Sequence, residues 1–203
     1  MSEGVWLSKI LADQDLVLFF GSDIAEENEE AAIHGTKNNP LGEPLDQSFF
    51  PKRVWASDET PPGPLPDLFV ANGYWVVSEK AADVLRRFDL GKGALYPVAV
   101  YQKDRSTPYP GEYFAWNFGN SKTALVPDQS QNLRPFGVSG LRWNLPWTPK
   151  DGNVAVSAEA LAGPDVWVDP ALFKSLFVSG DLGAALKSAG LHRVFELTRC
   201  RVV

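Results

Sequence analysis

The alternation of apolar and polar positions is most legible in DLFVANGYWVVSEKAADVLRRFDLGKGALYPVAVYQKD, residues 67–104, where three periods follow one another. Val70 to Val77 is an aromatic-rich apolar run broken by Asn72-Gly73, which reads as extended chain. Ser78 can cap a helix, and Ala82, Leu85 and Phe88 then recur at helical spacing, which predicts a helix over 78–88. Gly91-Lys92-Gly93 stops that helix as its C-cap, and Leu95–Gln102 returns to strand.

The same reading elsewhere predicts strands at Val5–Leu11, Asp15–Phe20 and Tyr113–Phe118, a short one at Val154–Val156, and a half-buried one across Val194–Val203. Ala25–Ile33 reads as a short acidic helix, followed by a loop from His34 to Phe50. PPGPLP at 61–66 is a connector, because its prolines fix φ and remove backbone donors. Downstream of Phe118 a polar, proline-containing region runs to Asp151. Asp169-Pro170 offers an N-cap with Pro at the first helical position, opening a helix over Ala171–Phe177. Ser179–Gly190 reads as a further helix, with Leu182, Leu186 and Ala189 on one face and Gly190 closing it.

Strands and short helices in this order, without a repeated strand-helix-strand cadence, predict an α+β domain: a mainly antiparallel or mixed sheet with a few short helices packed on one side. The length of 203 residues fits one domain. Within it, residues 1–66 read as an irregular acidic preface docked on a core of residues 67–203.

Composition narrows the function classes. A 44% apolar and 22% charged chain is globular, and seven Trp with twelve Phe make the core unusually aromatic. The N-terminal stretch lacks the pattern of a secretory signal, and Leu16–Phe20 is far too short to span a bilayer, so a cytoplasmic protein is expected. The single cysteine, Cys200, lies in an apolar run and reads as a buried thiol.

The net charge of −6 is regional: residues 1–60 carry 12 acids and 4 bases, whereas residues 61–203 carry 13 and 15. Asp23, Glu26, Glu27, Glu29 and Glu30 form the densest run. Such a field repels nucleic acid and anionic membrane and attracts a basic protein surface, unless it is only a solvated helical face. Trp143 and Trp147, four apart around Pro146, are a second candidate binding feature as an aromatic ledge, or else two rings covering the core.

Catalytic and cofactor templates are missing. His34 and His192 are the only histidines, and neither has metal-ligand spacing. No nucleophile elbow, phosphate-binding loop or dinucleotide fingerprint occurs, and Gly91-Lys92-Gly93 follows a helix instead of opening one. No metal, no cofactor and no catalytic residue is therefore expected.

The segments FVANGYWVVSEKAADVLRRFDLGKGALYPVAVY (69–101), GEYFAWNFGN (111–120), RWNLPW (142–147) and GPDVWVDPALFKSLFVSGDLGAALKSAGL (163–191) together resemble family eleven of the bacterial polymorphic-toxin immunity proteins, formerly a domain of unknown function. The resemblance covers residues 65–203 and is densest at the V-S-E-K turn, 77–80, leaving the acidic run outside it. It implies a small cytoplasmic antidote that binds a cognate toxin and has no catalysis of its own. The alternative from residue chemistry alone is an enzyme or small-ligand protein whose site matches no familiar template.

Overall fold

The computed structural model describes residues 4–58, 60, 63–137 and 142–203. Pro61 and Pro62 of the connector lie outside the described residues. The chain opens with β1 (Val5–Ser8), β2 (Val17–Leu18) and β3 (Phe20–Ser22), then α1 (Asp23–Glu27), α2 (Glu29–Asn38) and β4 (Arg53–Ala56). Next come β5 (Leu68–Ala71), β6 (Tyr74–Ser78), α3 (Glu79–Leu85), β7 (Ala94–Tyr101) and β8 (Tyr113–Asn117). The remainder is β9 (Arg134–Phe136), β10 (Arg142–Asn144), β11 (Ala155–Val156), β12 (Val166–Val168), β13 (Leu176–Ser179), α4 (Gly180–Ser188), β14 (Leu197–Arg199) and β15 (Arg201–Val202).

Val70–Val77, expected as one extended run, is instead folded into a hairpin: Asn72-Gly73 makes the tight turn between β5 and β6, with both residues at positive φ, 48° and 85°. That twist matches the right-handed twist of the flanking strands, which is why Asn-Gly is favoured there. The hairpin lies in a seven-stranded mixed sheet of order β2-β5-β6-β8-β7-β4-β3. Only Phe19 separates β2 from β3, yet they occupy opposite edges, so the chain over 17–22 draws the edges together and curls the sheet. Alternate residues of β5 and β6 then point to opposite sides. Phe69, Ala71, Tyr74 and Val76 fill the enclosed side with Phe20, Val54 and Val100. Leu68, Val70, Trp75 and Val77 fill the other.

That second side packs against a four-stranded antiparallel sheet of order β12-β13-β1-β14. Helices α3 and α4 lie beside it and contribute Ala81, Leu85, Leu182 and Leu186 to the shared core. Helices α1 and α2 cover the enclosed side through Ile24 and Ala32. Beyond the four-stranded sheet, Val5, Leu7, Trp167 and Phe177 pack under the segments carrying Leu125 and Val156. The whole is one α+β domain with mixed and antiparallel sheets, as the order of elements predicts.

Ser78 and Ser179 cap α3 and α4 as read, their hydroxyls accepting from Ala81 N–H at 3.4 Å and Leu182 N–H at 3.3 Å. Several local expectations are corrected. The acidic helix is two helices, because Asn28 ends α1 and caps α2 by accepting from Ala31 N–H at 3.0 Å. Helix α2 runs on to Asn38, so the expected loop from His34 begins as helix. Asn39 then fastens its end to the sheet, donating to the Trp116 carbonyl and accepting from Phe118 N–H, each at 2.9 Å.

Gly91 is no helix cap, since α3 ends at Leu85; a side chain there would collide with Asn120, whose amide bridges the backbones of Leu90, Lys92 and Val166. Ala171–Phe177 is no helix. The Asp169 carboxylate is buried and accepts from the N–H groups of Ala124, Leu125 and Ala171 at 2.7–2.9 Å, so it staples two loops, and the apolar run after it becomes β13. The last predicted strand is split at Cys200 into β14 and β15, which join different sheets.

Candidate partner-binding surface

The structure divides the acidic run by what each carboxylate touches. Asp23 is buried and accepts from the N–H groups of Ile24 at 2.8 Å and Lys52 at 3.2 Å, with the Arg53 guanidinium 3.8 Å away. Glu27 faces the same Arg53 at 3.6 Å. Glu26 takes both terminal nitrogens of Arg105, at 3.0 and 3.1 Å, while that guanidinium lies 4.1 Å from the centroid of the Trp55 ring. Arg105 is held there by a turn in which Asp104 accepts from the Thr107 hydroxyl and from the N–H groups of Ser106 and Thr107; those bonds, the Thr107 hydroxyl first, keep its carboxyl well below the usual range.

Glu29 and Glu30 differ. They occupy the first turn of α2, exposed, where the helix dipole favours negative charge, and among the described residues neither forms an ion pair. Three of the five acids are thus answered within the fold and two face outward.

The two tryptophans of RWNLPW also part company. Trp143 lies in β10 opposite Pro135 and packs on the core beneath the four-stranded sheet. Its backbone brackets Ala171–Phe173, accepting from Phe173 N–H and donating to the Ala171 carbonyl, both at 2.8 Å. Trp147 is 88% exposed.

Trp147 stands at the mouth of a groove of about 600 Å³ that it shares with Arg134 and Leu145. A second groove, of about 800 Å³, runs over Val17, Phe19, Leu41 and Trp75. Both are lined by Ala12, Asp13, Gln14, Phe173 and Lys174, so they are one surface folded around the turn after β1. Large apolar side chains are exposed along it at Val17, Phe19, Leu41, Phe173 and Trp147.

That turn is firmly held. Ile10 and Leu11 are buried, the Ser8 hydroxyl donates to the Phe195 carbonyl at 2.5 Å, and Asp13 accepts from Asp15 N–H at 2.9 Å. Phe173 is fixed by stacking on Phe136, ring centroids 4.2 Å apart. Sequence reading missed Phe19, Leu41 and Phe173. One signal was present: LVLFF at 16–20 is apolar at every position, although an edge strand buries only alternate ones, so Val17 and Phe19 are the surplus.

Of the reactive groups elsewhere, Cys200 and Lys122 are engaged by the fold, and the two histidines stand apart from each other. His34 lies on α2 with its ring 4.6 Å from that of Phe49, and His192 is exposed. Burial pushes the Cys200 thiol up to about 12, too high for a nucleophile. Lys122 sits 3.7 Å over the Trp167 ring and donates to the Pro164 carbonyl, and burial holds its ammonium down to about 8. Among the described residues no three His, Cys, Asp or Glu side chains converge as a metal site, and no helix is long and apolar enough to cross a membrane.

No curated protein matches the chain. The family described as "Immunity protein family (Imm11)" matches residues 23–197, beginning at Asp23, so the acidic run falls inside the matched region and not outside it. A match over most of the chain, on an α+β domain that contains all the segments carrying the resemblance, places this protein in the Imm11 immunity protein family.

Proposed function

We propose that the protein is a cytoplasmic antidote: it binds a cognate toxin protein of a polymorphic toxin system, neutralises it by occupying its surface, and performs no catalysis itself. The observation that carries this reading is the family match over residues 23–197. The fate of the reactive side chains supports it, since Cys200 is sealed in the core and Asp169 is committed to backbone N–H groups. In this reading Glu29 and Glu30 set the long-range field that draws in a basic part of the toxin, and Asp23, Glu26 and Glu27 add to it less because Arg53 and Arg105 face them.

The test is rescue. A candidate toxin domain, taken from a reading frame next to the one for this chain, is expressed in a bacterial cytoplasm with and without it. Restored growth and a stoichiometric complex on gel filtration are expected. Failure to rescue growth, with both proteins present in soluble form, overturns the reading.

A further inference from the structure

We propose that the joined grooves around the turn after β1 are the docking surface for the toxin, and that they receive a toxin segment carrying apolar side chains flanked by carboxylates. The inference rests on the antidote reading and assigns its contact surface.

Apolar exposure comes first. A tryptophan that is 88% exposed at the mouth of a groove gains most of its burial only when something covers it. Trp147 does not stand alone, because Phe19, Leu41 and Phe173 open onto the same surface from three separate parts of the chain. Exposed apolar patches rimmed by polar groups mark interaction sites, and buried tryptophans dominate the binding energy of such interfaces. The floor is preorganised by Ile10, Leu11 and the Phe136–Phe173 stack, so little ordering cost falls on binding.

Charge then selects the partner. The protein as a whole is at −6, yet this surface is lined by Lys9, Lys37, Arg134 and Lys174 against Asp13 and Asp15. Lys9 is answered by Glu196 at 3.5 Å, whereas Lys37 and Lys174 form no ion pair among the described residues. An apolar floor with unanswered ammonium groups in its lining complements a segment whose apolar anchors are flanked by Asp or Glu. The outward Glu29 and Glu30 lie about two turns along α2 from Lys37 and line neither groove, so the acids add to the field around the surface without entering it.

The experiment measures affinity between the purified chain and the candidate toxin domain of the growth test by titration calorimetry, with dissociation rates read by surface plasmon resonance. Trp147→Ser and Phe19→Ser are each expected to weaken binding about 30-fold or more, with melting temperatures close to the parent because both side chains are already exposed. Lys37→Glu combined with Lys174→Glu is expected to weaken it at low salt, and Glu29→Gln combined with Glu30→Gln to leave the dissociation rate unchanged. Parent-like affinity of the Trp147 and Phe19 variants overturns the docking surface while leaving the antidote reading intact. Self-association of the chain that Trp147→Ser abolishes also overturns it, assigning the surface to a second copy. No binding by the parent chain removes the antidote reading itself, a result distinguishable because it appears before any variant is made.

Discussion

Arg105 reaches Glu26 across 79 positions of sequence and closes a two-bond fork on its carboxylate while its guanidinium carbon sits 4.1 Å from the centroid of the Trp55 ring. The acidic run is therefore partly an internal feature of the fold. Both partners are about half exposed, so solvent screens the pair and its coupling in a double-mutant cycle is expected at about 0.2–1 kcal/mol. Urea denaturation of Glu26→Gln, Arg105→Gln and the double variant measures it; a coupling above about 2 kcal/mol contradicts this account.

For toxin association, the same division predicts unequal roles. Glu29→Gln with Glu30→Gln should lower the association rate and flatten its salt dependence more than Glu26→Gln with Glu27→Gln. The Debye length shrinks from about 10 Å at 0.1 M to about 3 Å at 1 M salt, so the difference should vanish at the upper end. Surface plasmon resonance across that series decides, and equal effects of the two pairs would show that Arg53 and Arg105 do not mask their partners.

Asp169 is expected to be among the least replaceable polar residues. Its two oxygens accept three backbone N–H groups in a buried site, and Asn can supply only one acceptor oxygen. Asp169→Asn should cost about 2–4 kcal/mol in urea denaturation, because buried donors lose a charged acceptor. A loss below about 1 kcal/mol would mean that the two stapled loops hold without it.

Buried Cys200 and half-buried Lys122 give the alkaline limb of stability opposite contributions. Cys200 has its pKa raised by burial from 9.0 to about 12, so the native state keeps a proton the unfolded chain releases, and stability is lost as pH rises from 9 toward 12. Lys122 has its pKa lowered from 10.5 to about 8, so the unfolded chain keeps the proton longer and stability is regained between 8 and 10.5. Unfolding measured from pH 7 to 10.5 should fall less steeply for Cys200→Ala and more steeply for Lys122→Met than for the parent. Parallel curves for all three would refute the assignment.

The division of the chain at residue 66 yields a truncation test. Strand β1 pairs with both β13 and β14, with Val5 and Leu7 fully buried, and β2, β3 and β4 supply one edge strand and then two at the other edge of the curled sheet. Residues 67–203 alone are expected to lack a cooperative calorimetric transition that the full chain shows. A sharp transition in the fragment would establish the core as independent of the preface.

Local signals account for much of the fold. Ser78 and Ser179 mark helix starts because a hydroxyl caps an N–H only three residues ahead, whereas the Asn72-Gly73 hairpin turn, although as local, is passed over when Val70–Val77 is read as one extended run. The same locality explains the errors. Asp169-Pro170 has the form of a helix start, but its carboxylate is claimed by Ala124 and Leu125, 45 and 44 positions away, and Leu176–Val178 pairs with β1 and β12. Arg53–Ala56 and Val166–Val168, four and three residues long, are too short to display the period that marks a strand.

For the candidate surface, residue identities marked Trp147 and the five acids, and family resemblance carried the class of function. Which acids are answered and which tryptophan is covered depended on distant partners: Arg105 for Glu26, the Ala171–Phe173 segment for Trp143. Propensity, capping and charge count act over a few residues and can be read along the chain. Exposure is a property of the closed surface, and Phe19, Leu41, Trp147 and Phe173 became neighbours on one groove only when the sheets curled and packed.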